Sequence, residues 1–484
     1  MVVPLIVALY ILSLNFRFFQ HQDEATHQAS PEQSEKQEQA LRSPPAVSAH
    51  EPVATIAHVV SLIKCTKQAS VTGFLDAAAV LRHSIHLQSI HTPSSGSKYS
   101  YKMYAIVHET CREHAKLLER LGYTSIVKPS PVTVDDITPG WYREHVEGEN
   151  CCGSAEFIKL YAYTLMDHPI SVHWDMDVAL FHPMDDLFDS MIFTKDSNEG
   201  KAARQRLVDG KQLQHSAVAL PDTIEAFFTR DITSSQPWEI RQGVQGGFLV
   251  ARPNQEYFDA YMKFIKEANY VKGRGNTNGW AGLGYGGFQG AMAYQGAVAF
   301  FYDQVMKTLP SGSGNKQAVE LNACTWNQVV ADVIWRGPKR MEHFGQCRQY
   351  PQPGVDFKDN TPENGQCTDC RILAVDQVKS AHYTACKKPW ECMLPKPRVP
   401  KNPDEKLRLK ELTNITTCGL LFERWFDLRR DFEEKLNLIG GVNPSPRNGK
   451  YETQYFGGYC QLKGKYFSMQ PPPEDFDIKR LYGV

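Results

Sequence analysis

Ile170-Ser171-Val172-His173-Trp174-Asp175-Met176-Asp177 is a short strand-like run closed by two carboxylates one residue apart. At strand spacing, residues i and i+2 point to the same side. Where the strand ends and the chain turns, two carboxylate oxygens can meet on one hard cation such as Mn2+ or Mg2+. The same pattern suits an acidic pair that caps the next turn or faces solvent, and these eight residues do not separate the readings. Around the run, strand and helix patterns alternate. Residues 56–63, 101–107, 124–127 and 243–252 read as strands, and 73–91, 111–121, 155–167 and 255–268 as helices. This alternation predicts an α/β sandwich with a mostly parallel sheet. Ligands of such sheets bind beyond the carboxyl ends of the strands, where Asp175 and Asp177 are placed.

Far downstream stands His382-Tyr383-Thr384-Ala385-Cys386-Lys387-Lys388-Pro389-Trp390. It offers an imidazole, a small residue three positions on, a lysine six on, and a rigid Pro-Trp. Two carboxylates with an imidazole suit a borderline cation such as Mn2+, and a lysine can neutralise a diphosphate. His382 alone fits a packed histidine equally well; its claim rests on Lys388, Pro389 and Trp390 at their spacing.

Taken together, these motifs resemble the glycogenin-like retaining glycosyltransferases (glycosyltransferase family eight) over roughly residues 56–392. Phe157-Ile158-Lys159-Leu160-Tyr161-Ala162-Tyr163 resembles the family's lysine-bearing helix. Residues 181–188, with Pro183 and Leu187-Phe188, resemble the segment after its metal motif. Gln245-Gly246-Gly247-Phe248-Leu249-Val250, running to Pro253, resembles the strand lining the sugar site, and Phe288-Gln289-Gly290 the family's D-Q-G element. Ala385, Gln245 and Phe288 replace the glycine, asparagine and aspartate expected there.

The resemblance implies a GT-A-type fold and transfer of a sugar from a UDP-sugar to an acceptor hydroxyl, with retained configuration. It implies Mn2+ (or Mg2+) on Asp175, Asp177 and His382. Lys159, Met176, Gln245, Gly246, Gly247, Ala385 and Lys388 would meet the donor, and Gln289 is the candidate catalytic residue; an alternative role for Gln289 is to order its loop. Because Gln245 and Phe288 depart from the pattern, a luminal nucleotide-sugar or glycan-binding protein without turnover is the alternative function. A metal-dependent hydrolase would need a general base beside the metal, for which no second motif stands at suitable spacing.

A net charge of -1 gives no global pull toward nucleic acid, and 42% hydrophobic with 22% charged residues is an ordinary globular composition. Residues 2–19 form the longest apolar run, short for a membrane span, so a type II signal anchor and a cleaved signal peptide both fit. Residues 20–55 are rich in Gln, Glu, Ser, Pro and Ala and read as a disordered stem. The expected division is therefore 1–19 anchor or signal peptide, 20–55 stem, 56–392 catalytic domain and 393–484 C-terminal extension. That layout points to the secretory pathway, with a luminal domain on the Golgi membrane and a glycan, glycoprotein, glycolipid or polysaccharide acceptor.

Twelve cysteines, an even number, suit disulfides in an oxidising lumen. Cys367-Thr368-Asp369-Cys370 also fits half a zinc site or a redox pair, but no second C-x-x-C completes a four-cysteine site. Asn414-Ile415-Thr416 is a glycosylation sequon, usable in the lumen. Residues 195–241 read as a polar surface excursion with a helix near 222–228. The glycine-rich stretch 273–290, interleaved with Trp280, Leu283, Tyr285 and Phe288, reads as an ordered loop near the sugar or acceptor. Helices are expected at 405–413 and 420–436, and coil at 470–473. Glu147 and Glu149 are candidates for an acceptor role or for surface charge.

Overall fold

The computed structural model describes residues 51–63, 65, 73–149, 152–214, 219–231, 241–273, 277–329, 370, 373–384, 388–392, 417–441, 458–460 and 466–483. The expected 1–19 anchor or signal peptide, residues 20–50 of the expected 20–55 stem, the expected helix 405–413, the sequon at 414–416, and Ala385 lie outside them. Among the described residues no helix is long and apolar enough to cross a membrane.

The strands are β1 (Thr55–Leu62), β2 (Ser100–His108), β3 (Thr124–Lys128), β4 (Ser171–Trp174), β5 (Val178–Leu180), β6 (Thr223–Arg230), β7 (Val244–Ala251), β8 (Tyr270–Val271), β9 (Gly279–Trp280), β10 (Lys316–Glu320) and β11 (Ser380–His382). Seven of them form one sheet in the order β10-β6-β7-β4-β1-β2-β3. Its neighbours run parallel except at β7, which is antiparallel to β4 and β6. The expected α/β architecture with a mostly parallel sheet is therefore what the chain adopts. β1 and β7 are near-continuous apolar runs because both faces of these central strands are covered.

The main helices are α1 (Phe74–Leu87), α2 (Ala115–Arg120), α3 (Trp141–His145), α4 (Asp185–Ile192), α5 (Asn198–Asp209), α6 (Gln255–Glu267), α7 (Tyr294–Phe300), α8 (Thr417–Leu438) and α9 (Lys479–Tyr482). α6 shows how sequence becomes packing. The Asn254 side chain accepts the Tyr257 amide at 3.2 Å, capping the first turn. Tyr257, Tyr261 and Ile265 then follow at four-residue steps and bury one stripe.

Three expectations change. The helix expected near 222–228 is strand β6. Its Thr-Ile-Glu-Ala-Phe-Phe-Thr-Arg sequence carries β-branched and aromatic residues, and its place between β7 and β10 buries both faces. The helix expected at 155–167 is wound as a 3-10 helix, Gly153–Thr164, and nothing in its sequence accounts for the tighter winding. The helix expected at 111–121 is a 3-10 turn, Glu109–His114, leading into α2.

α8 packs on α1. Arg429 is fully buried and reaches Asp76 at 2.9 Å, and His83 meets Asp431 at 2.7 Å. At the start of α1, Gly73 has φ +98° and lies under the Trp390 ring, where a Cβ would come within 2.3 Å of it. None of the described cysteines is free. Pairs join Cys65 to Cys111, Cys324 to Cys370 and Cys392 to Cys460. The Cys324 link uses Cys370 as a structural disulfide, in place of the alternative zinc or redox role.

Candidate functional site

The carboxyl end of β4 meets the first half of β7. Trp174 pairs with Phe248, and one residue further on the Asp175 amide donates to the Gly247 carbonyl at 3.0 Å. Antiparallel pairing thus lays Gly246-Gly247 beside the first carboxylate. A second pairing brings in the imidazole. β5 follows the Asp-Met-Asp turn and pairs with β11, His382 opposite Val178, and the Tyr383 amide donates to the Asp177 carbonyl at 2.9 Å.

Asp175, Asp177 and His382 converge, their ligand atoms all within 4.8 Å of one another. His382 Nε2 lies 3.3 Å from an Asp177 oxygen and 3.8 Å from an Asp175 oxygen. His382 Nδ1 is buried without a hydrogen-bond partner. A Cβ on Gly247 would sit 2.9 Å from both this nitrogen and Asp175 Oδ2, and 2.5 Å from His382 Cε1. Glycine therefore leaves open a space faced by a carboxylate oxygen and an unsatisfied imidazole nitrogen. Two carboxylates and one histidine form a donor set suited to Mn2+ or a similar divalent ion, so the residues fit the expected metal.

Two lysines complete the electrostatics. Lys159 is buried and donates to Asp175 Oδ1 at 2.8 Å and to the Gly246 carbonyl at 3.1 Å. Lys388 makes an ion pair with Asp177 Oδ2. Burial acts to raise the Asp175 carboxyl, but the Lys159 ammonium and the His382 and His173 rings hold it well below the usual carboxylate range. Burial pushes the His382 ring down, which favours the neutral form a metal requires. Burial also lowers the Lys388 ammonium, with Asp175 and Glu391 opposing it.

The structure brings Asp175, Asp177, His382, Lys159, Lys388, Gly246 and Gly247 together. Gln245 is buried, and its side-chain oxygen accepts the Gly247 amide at 2.6 Å and the Asn327 side chain at 3.0 Å. Met176 is half-buried against the main core. Gln289 is exposed in the glycine-rich turn, beside Phe288, which is buried over Gly243. Glu149 holds that turn by accepting the Gly290 amide, and Glu147 accepts the Ser154 amide at 3.3 Å.

Three residues of the site escape the motif reading. Gln295, in the first turn of α7, lies over Gly246, where a Cβ would come 3.0 Å from Gln295 Cγ. Its side-chain amide donates to Asp231 at 2.8 Å, and the Asp231 charge acts on His382. Asn327, at φ +53°, ties Gln245 to Thr229. The one available signal is that Tyr294-Gln295-Gly296 repeats the Gln-Gly pair of 289–290 at the head of a helix.

No protein-family model and no curated protein matches the chain. Solved structures resemble it weakly. The apo form of mouse xyloside xylosyltransferase 1 is 12% identical with a TM-score of 0.33, over 68% of this chain and 97% of that one. The galactosyltransferase LgtC, bound to donor and acceptor sugar analogues, is 12% identical with a TM-score of 0.33, over 78% and 95%. The apo bifunctional glycosyltransferase WbbM is 11% identical with a TM-score of 0.32 over 71% of this chain, which spans about half (48%) of that protein. Likeness this slight carries no functional argument, so function is read from the site's own residues.

Proposed function

We propose that the chain is a metal-dependent, retaining glycosyltransferase of GT-A type that moves a sugar from a UDP-sugar to an acceptor hydroxyl. One observation carries the reading: Asp175, Asp177 and His382 converge within 4.8 Å at the carboxyl end of β4, flanked by Lys159 and Lys388. Breaking an anomeric C–O bond leaves a diphosphate with concentrated negative charge. Mn2+ or Mg2+, held by Asp175, Asp177 and His382, would supply Lewis-acid stabilisation of that charge.

The chain's own residues do the rest. Lys388 lies on the more open side of the site, placed to leave Asp177 for the leaving diphosphate, where a lysine acts as a point charge. Lys159 keeps Asp175 ionised and fixes its orientation through Oδ1. Gly246 and Gly247 let the donor approach the β7 backbone. For the residue beside the reacting carbon, Gln289 is the family-derived candidate, and Gln295 is favoured by its position over Gly246. The described disulfides support a luminal, secretory-pathway setting, for which a Golgi anchor in residues 1–19 and a glycan, glycoprotein, glycolipid or polysaccharide acceptor are proposed.

The test is UDP and GDP release from a panel of nucleotide sugars by the full chain, with and without Mn2+, beside Asp175→Ala/Asp177→Ala. Mn2+-dependent release from one donor, absent in the double variant, is the expected result. Binding of UDP and Mn2+ without turnover, with or without acceptors, would support the glycan-binding alternative. A folded protein that binds neither would overturn the proposal.

A further inference from the structure

Away from the metal-ligand group, a cavity of about 480 Å³ opens between four chain segments: His182 just past β5, the end of α5, the turn after β10 and the approach to β11. Its volume falls in the range of small-ligand pockets, roughly 300–1,000 Å³. Part of its lining is committed to the fold. Gln212 spends its amide on Asp186 and its oxygen on Trp326, and Asn322 spends both ends on Lys211 and Cys324.

The remaining groups face the space with capacity left. Lys379 lies with its ammonium 5.8 Å from the Trp326 ring centre, and among the described residues no carboxylate pairs with it within 4.0 Å. Lys211 is exposed at the rim on a backbone of φ +51°. His182 bonds the Asp376 backbone through one ring nitrogen, while its Nε2 is buried without a partner. A ring that donates from one nitrogen keeps a lone pair on the other, so this Nε2 is an acceptor for an O–H. Asp209 and Asp376 add carboxylate acceptors at the mouth. Two ammonium groups call for an anion, and the imidazole and carboxylates call for hydroxyls.

We propose that this cavity is a second, non-catalytic binding site for an acidic sugar, a pyranose carrying one carboxylate or phosphate, gripped by Lys379 and Lys211 and oriented by a hydroxyl donated to His182 Nε2. The chemistry rests on the cavity alone and not on the transferase reading. The site shares the 322–328 turn with the metal-ligand group: the Lys379 backbone amide donates to the Thr325 carbonyl at 2.8 Å, and the His382 backbone amide to the Gln328 carbonyl at 2.9 Å.

The test is calorimetric titration of the full chain with glucuronate, glucose 6-phosphate, glucose and inorganic phosphate. Each is repeated on Lys379→Met, Lys211→Met and Asp175→Ala/Asp177→Ala, with circular dichroism to confirm folding. The expected result is binding of an acidic sugar, with glucose and inorganic phosphate each weaker by about tenfold or more. Either lysine variant should weaken it by a similar factor, and the aspartate double variant should leave it unchanged. Lys211 is exposed, so its variant tests the site even if Lys379→Met misfolds. Equal binding of glucose and its acids, phosphate binding as well as the sugar phosphate, loss only in the aspartate variant, or no binding by folded protein would each overturn the proposal. UDP and Mn2+ binding on the same samples reports separately on the transferase reading.

Discussion

Asn327 donates its side-chain amide to Gln245 Oε1 at 3.0 Å across 82 residues of sequence, and the same oxygen accepts the Gly247 amide at 2.6 Å. The turn after β10 thereby holds the stretch of β7 that lies against Asp175. Asn327→Ala should cost about 1–2 kcal/mol through the lost buried hydrogen bonds, and should weaken Mn2+ binding. Asn327→Gly relieves the backbone at its positive φ while still losing the amide. Urea unfolding and Mn2+ titration of both variants separate strain from tethering; unchanged Mn2+ affinity in both would refute the tether.

Gly247 is expected to tolerate no side chain. Gly247→Ala adds a Cβ where Asp175 Oδ2 and His382 already stand, within 2.5–2.9 Å. Within a strand alanine costs the backbone less than glycine does, so the fold should persist while metal affinity falls by about tenfold or more. Gly246→Ala meets the flexible Gln295 side chain at 3.0 Å and the Tyr294 ring at an ordinary 3.5 Å, and should be milder. Paramagnetic titration with Mn2+ ranks the two.

The Cys324–Cys370 disulfide closes a loop of 46 residues and fixes the chain around Gln328, whose side chain bonds the Cys370 carbonyl at 3.0 Å. Chain entropy assigns such a link about 4 kcal/mol. Cys324→Ala/Cys370→Ala should lower the denaturation midpoint accordingly and loosen His382, seen as weaker Mn2+ binding in the same preparation.

Arg429 is buried among Asp76, Glu433 and Tyr466, with the Tyr459 ring 4.2 Å from its guanidinium. Arg429→Met leaves two carboxylates buried without their cation, for an expected loss of about 3–5 kcal/mol. Adding Asp76→Asn should recover part of it. A double variant no more stable than Arg429→Met would show that the pairing of Arg429 with Asp76 is not what matters.

Two of the buried histidines help set an acid limit on the fold. Burial pushes His58 down to about 3, with His168 adding to it, and burial also brings His86 to about 3, helped by the charges of His83, Arg82, His91 and Lys435. Unfolded, both rings take up protons near 6.5. Between 6.5 and about 3 the unfolded chain binds more protons, so these groups reduce stability as pH falls through that window and cost nothing above it. The two together give at most about 2.7 kcal/mol per pH unit. His58→Gln, which keeps an acceptor for the Trp174 indole, should lower the slope by about 1.4 kcal/mol per pH unit at most; urea titrations at successive pH values measure it.

Much of the sheet was legible because buried parallel strands are written as apolar runs, as in Tyr104-Ala105-Ile106-Val107 of β2. β6 was not, since Glu225 and Arg230 interrupt its apolar run, and its state is decided by β7 and β10 on either side. α7 was missed because Gly296 and its small residues give a weak helical pattern, and Gln295 went unread with it. Asp231 and Asn327 belong to no motif; bonds to Gln295 and Gln245, and the Asp231 charge on His382, tie them to the site.

The chemistry of the metal-ligand set was fixed locally, by side-chain identity and short spacing: Asp175 and Asp177 two apart at a strand end, His382 and Lys388 six apart before Pro-Trp. That Lys388 meets Asp177 across 211 residues was decided only when β5 paired with β11, and that Gly247 stands beside Asp175 only when β4 paired with β7. Spacing along a chain carries chemistry over a few residues. Proximity over hundreds is set by strand register and burial, which depend on every segment packed around the sheet.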